Sequence, residues 1–267
     1  MSALSGIFTP PAPQNEPVLG FAPGSAARAR LQAELARQAG EVLEIPCVVG
    51  GEEIFTGRTV DITMPCDHGH VIARAHLATP EVVARSLSAT RAAAPQWAAL
   101  SWDARTAVFL RAAELLAGPW RDRLNASTML GQAKTCHQAD IDASCELIDF
   151  WRFNASYHRE LLSQQPPRNS PAIWNRSELR PLEGVVFAVT PFNFTSIALN
   201  LPSAPAMLGN VAIWKPSNTQ LHSAWYGYQL MREAGLPPGV IDFLPGDGAD
   251  VGDPVIASPH LAGLHFT

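Results

Sequence analysis

The chain has 267 residues, 47% of them hydrophobic and 16% charged, with a formal net charge of −5. That much apolar material supports a sizeable core and excludes disorder as the general state. The mild acidity argues against a nucleic-acid or anionic-membrane binder, which needs a basic footprint. Among 19 basic residues only Lys134 and Lys215 are lysines. The four cysteines, Cys47, Cys66, Cys136 and Cys145, are too few for a disulfide scaffold and show no CxxC spacing. No apolar run approaches the roughly 20 residues that span a bilayer. The opening MSALSGIFTPPAPQNEP has no basic n-region and no Arg-rich amphipathic stretch. A reducing cytoplasm is the expected compartment.

Residues 1–24, with five prolines, read as an extended arm. Ser25 is placed to cap a helix that stops at Gly40. Short β-rich runs then fill Ile45 to His76, with turns expected at Gly50-Gly51 and at Asp67-His68-Gly69. Thr79-Pro80 starts a helix to about Trp97. Further helices are expected over Asp103 to Ala117 and from about Ala139 to Leu162. After Gly184 continuous apolar runs (GVVFAVT, VAIW, IDFL, LAGLHF) alternate with helical segments near Ile197–Leu208, Gln220–Ala234 and Asp250–Ala257. Such runs suit strands buried on both faces, and the βα alternation gives right-handed units of a doubly wound α/β sheet.

Three motifs follow strands of that sheet. Thr190-Pro191-Phe192-Asn193-Phe194 comes after the first, where a carboxamide can donate to a developing oxyanion and where Pro and Asn also simply make turns. Lys215 and Ser217, in WKPSN, come after the second; the ammonium can bond ribose hydroxyls, or it is an ordinary surface lysine. Gly246-Asp247-Gly248-Ala249-Asp250-Val251-Gly252 is spaced one residue longer than the dinucleotide fingerprint, yet permits close backbone approach at a helix N-terminus. His68 and His70 have no third metal ligand beside them. Cys136 and Cys145 suit small buried hydrophobes. Glu146, among apolar helix residues, is either functional or a satisfied structural carboxylate.

Taken together these residues resemble the aldehyde dehydrogenase superfamily, and within it the 1-pyrroline-5-carboxylate (glutamate-γ-semialdehyde) dehydrogenase branch. The matching stretches are residues 15–21, 45–57, 139–157, 190–218 and 232–248, with PFNF followed by WKPS as the superfamily's mark and IDFWRFN as the branch's. The resemblance implies NAD-dependent oxidation of L-glutamate γ-semialdehyde to glutamate in proline degradation, through a thiohemiacetal on a cysteine. It implies that Asn193 is the oxyanion donor and that Thr190, Lys215, Ser217, Gly248 and Gly252 contact NAD. It places Phe194 and Glu146 in the aldehyde pocket. It further implies a small-molecule aldehyde as substrate, at least a homodimer at full length, and a proline dehydrogenase as possible partner. Where many NAD-preferring relatives carry a carboxylate, this chain has Asn218.

The resemblance divides the chain into an arm (1–24), a β-hairpin and helical part of the cofactor domain (25–182) and βαβ units of the NAD-binding domain (183–267). The final His265-Phe266-Thr267 falls inside the family's FTGS motif. The nucleophilic cysteine and the general-base glutamate are therefore expected beyond Thr267, and the 267 residues alone are expected to be inactive. The alternatives are a nucleotide-binding or subunit-association fragment and an aldehyde dehydrogenase of different substrate.

Overall fold

The computed structural model describes residues 8–267; the first seven residues of the expected arm lie outside them. Residues 8–22 run without regular structure to a turn at Pro23-Gly24. Helix α1 (Ala26–Ala39) is capped by the Ser25 side chain, which accepts from Arg28 N–H, and ends at Gly40. Five strands follow: β1 (Leu43–Ile45), β2 (Cys47–Val49), β3 (Glu52–Ile54), β4 (Thr59–Met64) and β5 (Asp67–His76). The β4–β5 turn is Pro65-Cys66, and Asp67-His68-Gly69, expected as a turn, begins β5. These polar residues are exposed, and irregular register between Ile62 and Met64 lets β5 extend past the sheet edge.

Helix α2 (Pro80–Ala98) begins where its cap Thr79 puts it, and α3 (Trp102–Ala117) follows Ser101, whose side chain makes no cap bond. Helix α4 (Arg121–Gln132) is an element the hydrophobic pattern does not announce, because Arg121, Asn125, Ser127 and Thr128 are on its buried side. The long helix expected from Ala139 is instead α5 (Cys136–Ala139), a π-helical stretch over Asp140–Glu146, and α6 (Leu147–Ser163). The second half supplies β6 (Val185–Val189), α7 (Thr195–Met207), β7 (Val211–Lys215) and α8 (Leu221–Glu233). It closes with β8 (Ile241–Phe243), α9 (Gly248–Ile256) and β9 (Leu261–Phe266).

A small sheet has the order β1-β5-β4, and a six-stranded sheet the order β3-β2-β8-β7-β6-β9. Strands β8, β7, β6 and β9 are parallel; β2 joins them antiparallel through Val48 opposite Phe243. The large sheet thus draws strands from both halves of the chain. Its parallel strands alternate between two cores: Val211 and Ile213 face one with Val83 and Val251, while Ala212 and Trp214 face the other with Leu147, Leu199 and Leu230. Both faces of β6, β7 and β8 are covered, as a parallel sheet requires; β9, expected to be buried likewise, is the edge strand and leaves Leu264 and Phe266 exposed. Gly184, at φ +133°, starts β6 against β9, where a Cβ would lie 2.3 Å from the His260 carbonyl oxygen.

Candidate functional site

The loops that follow β6 and β7 leave the same edge of the large sheet, with Val189 paired to Lys215 and the Thr190 N–H donating to the Lys215 carbonyl at 3.2 Å. In open α/β sheets this carboxyl edge is where ligands bind. Thr190 is buried and its Oγ1 accepts from Trp214 Nε1 at 2.9 Å, so the first residue of the loop is fixed to the neighbouring strand.

Lys215, Gly248 and Gly252 line one cleft of about 270 Å³, together with Phe187, Val189 and Ile256. Lys215 is 8% exposed and its Nζ donates to the Pro216 carbonyl at 3.2 Å. Burial holds its pKa below the usual lysine value, opposed by the negative charge of Asp247. A Cβ on Gly248 would meet nothing within 4 Å, and one on Gly252 only Phe187 Cε1, at 3.9 Å. The start of α9 therefore offers open backbone N–H groups to whatever enters the cleft. Asn218 Nδ2 donates to Asp247 Oδ1 at 2.9 Å, and Arg58 pairs with Asp250 at 2.7 Å. Ser217, half-buried, precedes a short 3₁₀ turn and shares a hydrogen bond with Thr219 at 3.1 Å.

Asn193, Phe194 and Glu146 gather elsewhere on that edge, around Lys134 and Asp142. Asn193 and Phe194 are exposed, while Asp142 is buried. Helix α7 has no side-chain cap of its own; the Asp142 carboxylate accepts from Thr195 N–H at 3.1 Å and Ser196 N–H at 3.2 Å. A carboxylate at a helix start also complements the dipole. Ser196 Oγ lies 2.9 Å from Asp142 Oδ1 and 2.8 Å from Glu146 Oε2. Lys134 Nζ pairs with Asp142 Oδ2 at 2.5 Å, donates to the Asn193 carbonyl, and stands 4.5 Å from the Phe194 ring centroid. Asp142 and Glu146, four residues apart, share one helical face, and both meet Ser196 from the π-helical stretch.

The opposite side of that stretch is equally fixed. Asp140 is fully buried and accepts from Arg121 Nε and Nη2 (2.8 Å each), Asn125 Nδ2 (2.8 Å) and Leu19 N–H (2.7 Å). Burial alone would raise its pKa, but these donors together hold it below the ordinary carboxylate range. Arg121 reaches on to Glu16 and the Pro17 carbonyl, binding the arm. Cys145, beside this network, has its thiol pushed up to about 12, chiefly by burial, which disfavours the thiolate.

Lys134 and Asp142 are the members of this cluster that motif reading missed. One signal was available, since the chain has two lysines and both are at this edge of the sheet. Among the described residues no group of three or more His, Cys, Asp or Glu is gathered to hold a metal, and no helix is long and apolar enough to cross a membrane.

A doubly wound sheet with a glycine-bearing cleft and an Asn-bearing loop at its carboxyl edge has the architecture of a nucleotide-fold protein. Residues 55–267 match the aldehyde dehydrogenase family model, and the chain belongs to that family. It is 47% identical to the delta-1-pyrroline-5-carboxylate dehydrogenase of Agaricus bisporus, across 100% of this chain and 49% of that protein. The mitochondrial enzyme of that name from Homo sapiens is 46% identical over 95% of this chain and 45% of its own. The NAD-bound crystal structure of the Mycobacterium tuberculosis Delta-pyrroline-5-carboxylate dehydrogenase superposes with a TM-score of 0.97 at 51% identity, covering 98% of this chain and 49% of that one. The chain thus spans about half the length of the curated relatives it matches.

Proposed function

We propose that the chain is the cofactor-binding half of an enzyme that oxidises L-glutamate γ-semialdehyde to L-glutamate with NAD. The observation that carries this reading is the convergence of Lys215, Gly248 and Gly252 on one cleft, beside a loop that presents Asn193 at the same sheet edge. The residues fit the cofactor. The buried Lys215 ammonium can donate to ribose hydroxyls, the open start of α9 accepts a close-packed group, and Phe187 and Val189 give an apolar floor. Thr190 and Ser217, which follow the cleft-lining Val189 and Lys215 in sequence but are not themselves in its lining, are the further cofactor contacts of this reading. Asp247, held by Asn218, puts a negative charge near Lys215 and favours NAD over a 2′-phosphorylated cofactor.

NAD, when bound, accepts the hydride. The Asn193 carboxamide N–H donates to the oxyanion that develops on the aldehyde oxygen, and Phe194 and Glu146 border the substrate. The nucleophilic cysteine and the general-base glutamate lie outside these 267 residues, and this chain alone turns nothing over. Segments 25–182 and 183–267 act as one cofactor unit, to which the arm is tied through Glu16, Pro17 and Leu19. The exposed Ile173, Trp174 and Leu179 provide apolar surface for a homodimer. The substrate is supplied by a proline dehydrogenase. The compartment is the cytoplasm.

Two measurements test the reading. NAD titrated into the chain should show saturable binding by calorimetry, and Lys215→Ala should weaken it at least about ten-fold; no saturable binding sinks the cofactor assignment. The full-length protein forms NADH with glutamate semialdehyde faster than with other aldehydes, and the opposite order overturns the substrate.

A further inference from the structure

The geometry points to Lys134 as a positioning residue: through Asp142 it clamps the Thr190–Phe194 loop and so sets where the Asn193 carboxamide stands. This inference rests on the oxyanion role proposed for Asn193.

The loop needs such a device. Its start is fixed by the Trp214 bond to Thr190 and its end by Asp142 at the first turn of α7, whereas Phe192, Asn193 and Phe194 between them are exposed. Lys134 spans that interval. Its ammonium holds the Asn193 main-chain carbonyl, so the bond fixes the peptide unit without occupying the carboxamide. It also covers the Phe194 ring, restraining the next residue by a cation–π contact. A lysine side chain is long and entropically costly to immobilise, and here it is ordered by Asp142. That acid is itself locked by Thr195 N–H, Ser196 N–H and Ser196 Oγ.

Asp142 in turn belongs to a π-helical stretch whose far side is tied by Asp140 to Arg121 and the arm. The chain of contacts runs from a rigid, buried network to one exposed peptide bond. A donor aimed at developing charge acts through preorganisation, and small displacements forfeit its effect. Lys134 touches neither the Lys215 cleft nor its lining residues, so the clamp is separable from cofactor binding.

The test uses the full-length protein with Lys134→Met, Lys134→Arg, Asn193→Ala and the Lys134→Met/Asn193→Ala pair. Lys134→Met should lower kcat by about 10- to 100-fold, short of the roughly 10²–10³ expected for loss of an oxyanion donor. KM and the NAD Kd should stay within about two-fold, and Lys134→Arg should recover most of the rate. A residue that acts only through Asn193 adds nothing once Asn193 is gone. The pair should therefore be no slower than Asn193→Ala alone, and a multiplicative loss overturns the clamp.

Amide hydrogen exchange of residues 191–196 gives an activity-independent reading. Exchange should rise about ten-fold or more in Lys134→Met while the core strands are unchanged, and an unchanged loop refutes the proposal. If the wild type itself oxidises no aldehyde, the functional reading fails and the exchange result still decides the clamp. Should Lys134→Met not fold, Lys134→Ala, which likewise removes the donor and the charge, replaces it in each arm.

Discussion

Replacing Asp140 with alanine tests whether the buried network behind the site stabilises the protein as its geometry implies. The variant removes both oxygens that neutralise Arg121, which is itself buried, and leaves Leu19 N–H and Asn125 Nδ2 without their acceptor. Breaking one side of a buried ion pair costs roughly 3–5 kcal/mol. Arg121 keeps Glu16 at 2.7 Å, which limits the loss to about the lower half of that range. That is still a large share of a typical total of about 5–15 kcal/mol. Urea unfolding should show a lower midpoint with an unchanged slope. Protease cleavage around residues 15–19 should also accelerate, because Arg121 and Asp140 both hold that segment. The pair Asp140→Leu/Arg121→Met, which removes both charges, should recover at least about 2 kcal/mol. A loss below about 1 kcal/mol for Asp140→Ala, or a pair less stable than the single variant, would refute the reasoning.

Three further outcomes are expected. In the full-length protein Asn193→Ala should lower kcat by roughly 10²–10³, about 2.7–4 kcal/mol, with the NAD Kd unchanged; a preserved kcat removes Asn193 from the oxyanion role. Gly184→Ala should destabilise by at least about 2 kcal/mol in thermal melts, since φ is +133° and the new Cβ would meet the His260 carbonyl; a neutral melt contradicts the close approach. Asp242 has its pKa raised to about 7, chiefly by burial, against bonds from Gly50 N–H and Ser86 Oγ. Its folded form keeps a proton that the unfolded chain releases near 3.8, so its contribution is full below that pH and fades as pH rises to about 7. His158 and His222, lowered to about 4 by burial, act oppositely: their contribution is full above about 6.5 and is lost as pH falls toward 4. Asp242→Asn should leave only the histidine trend, so its Tm should rise more steeply than wild type between pH 5 and 7. Parallel profiles would overturn the assignment.

The βα alternation after Gly184 is legible because β6, β7 and β8 are buried on both faces and read as unbroken apolar runs; the apolar run of β9 reads the same although its edge position leaves Leu264 and Phe266 exposed. Caps are legible for the same local reason, as Ser25 and Thr79 show. Helix α4 is not, since its inward face carries Arg121, Asn125 and Thr128, whose partners are far away in the chain. The π-helical stretch is hidden too: DIDASCE reads as ordinary helix until Asp140 and Asp142 are seen bonding to opposite neighbours. Asn193, on the loop after β6, and Lys215, at the end of β7, stand out by type and place. Lys134 becomes visible only when a residue 59 positions away is packed against it.

The placement of the two lysines has a chemical consequence. An amine-selective acylating or imidate reagent usually decorates dozens of surface sites and reports little. On this chain the side-chain targets are Lys134 and Lys215. Lys215 is shielded within the cleft, with its basicity lowered by burial, while Lys134 is engaged with Asp142. Modification therefore reads out two local environments at once, cofactor shielding at one amine and loop order at the other. A mass measurement of two peptides can follow both ends of the sheet edge without any substitution.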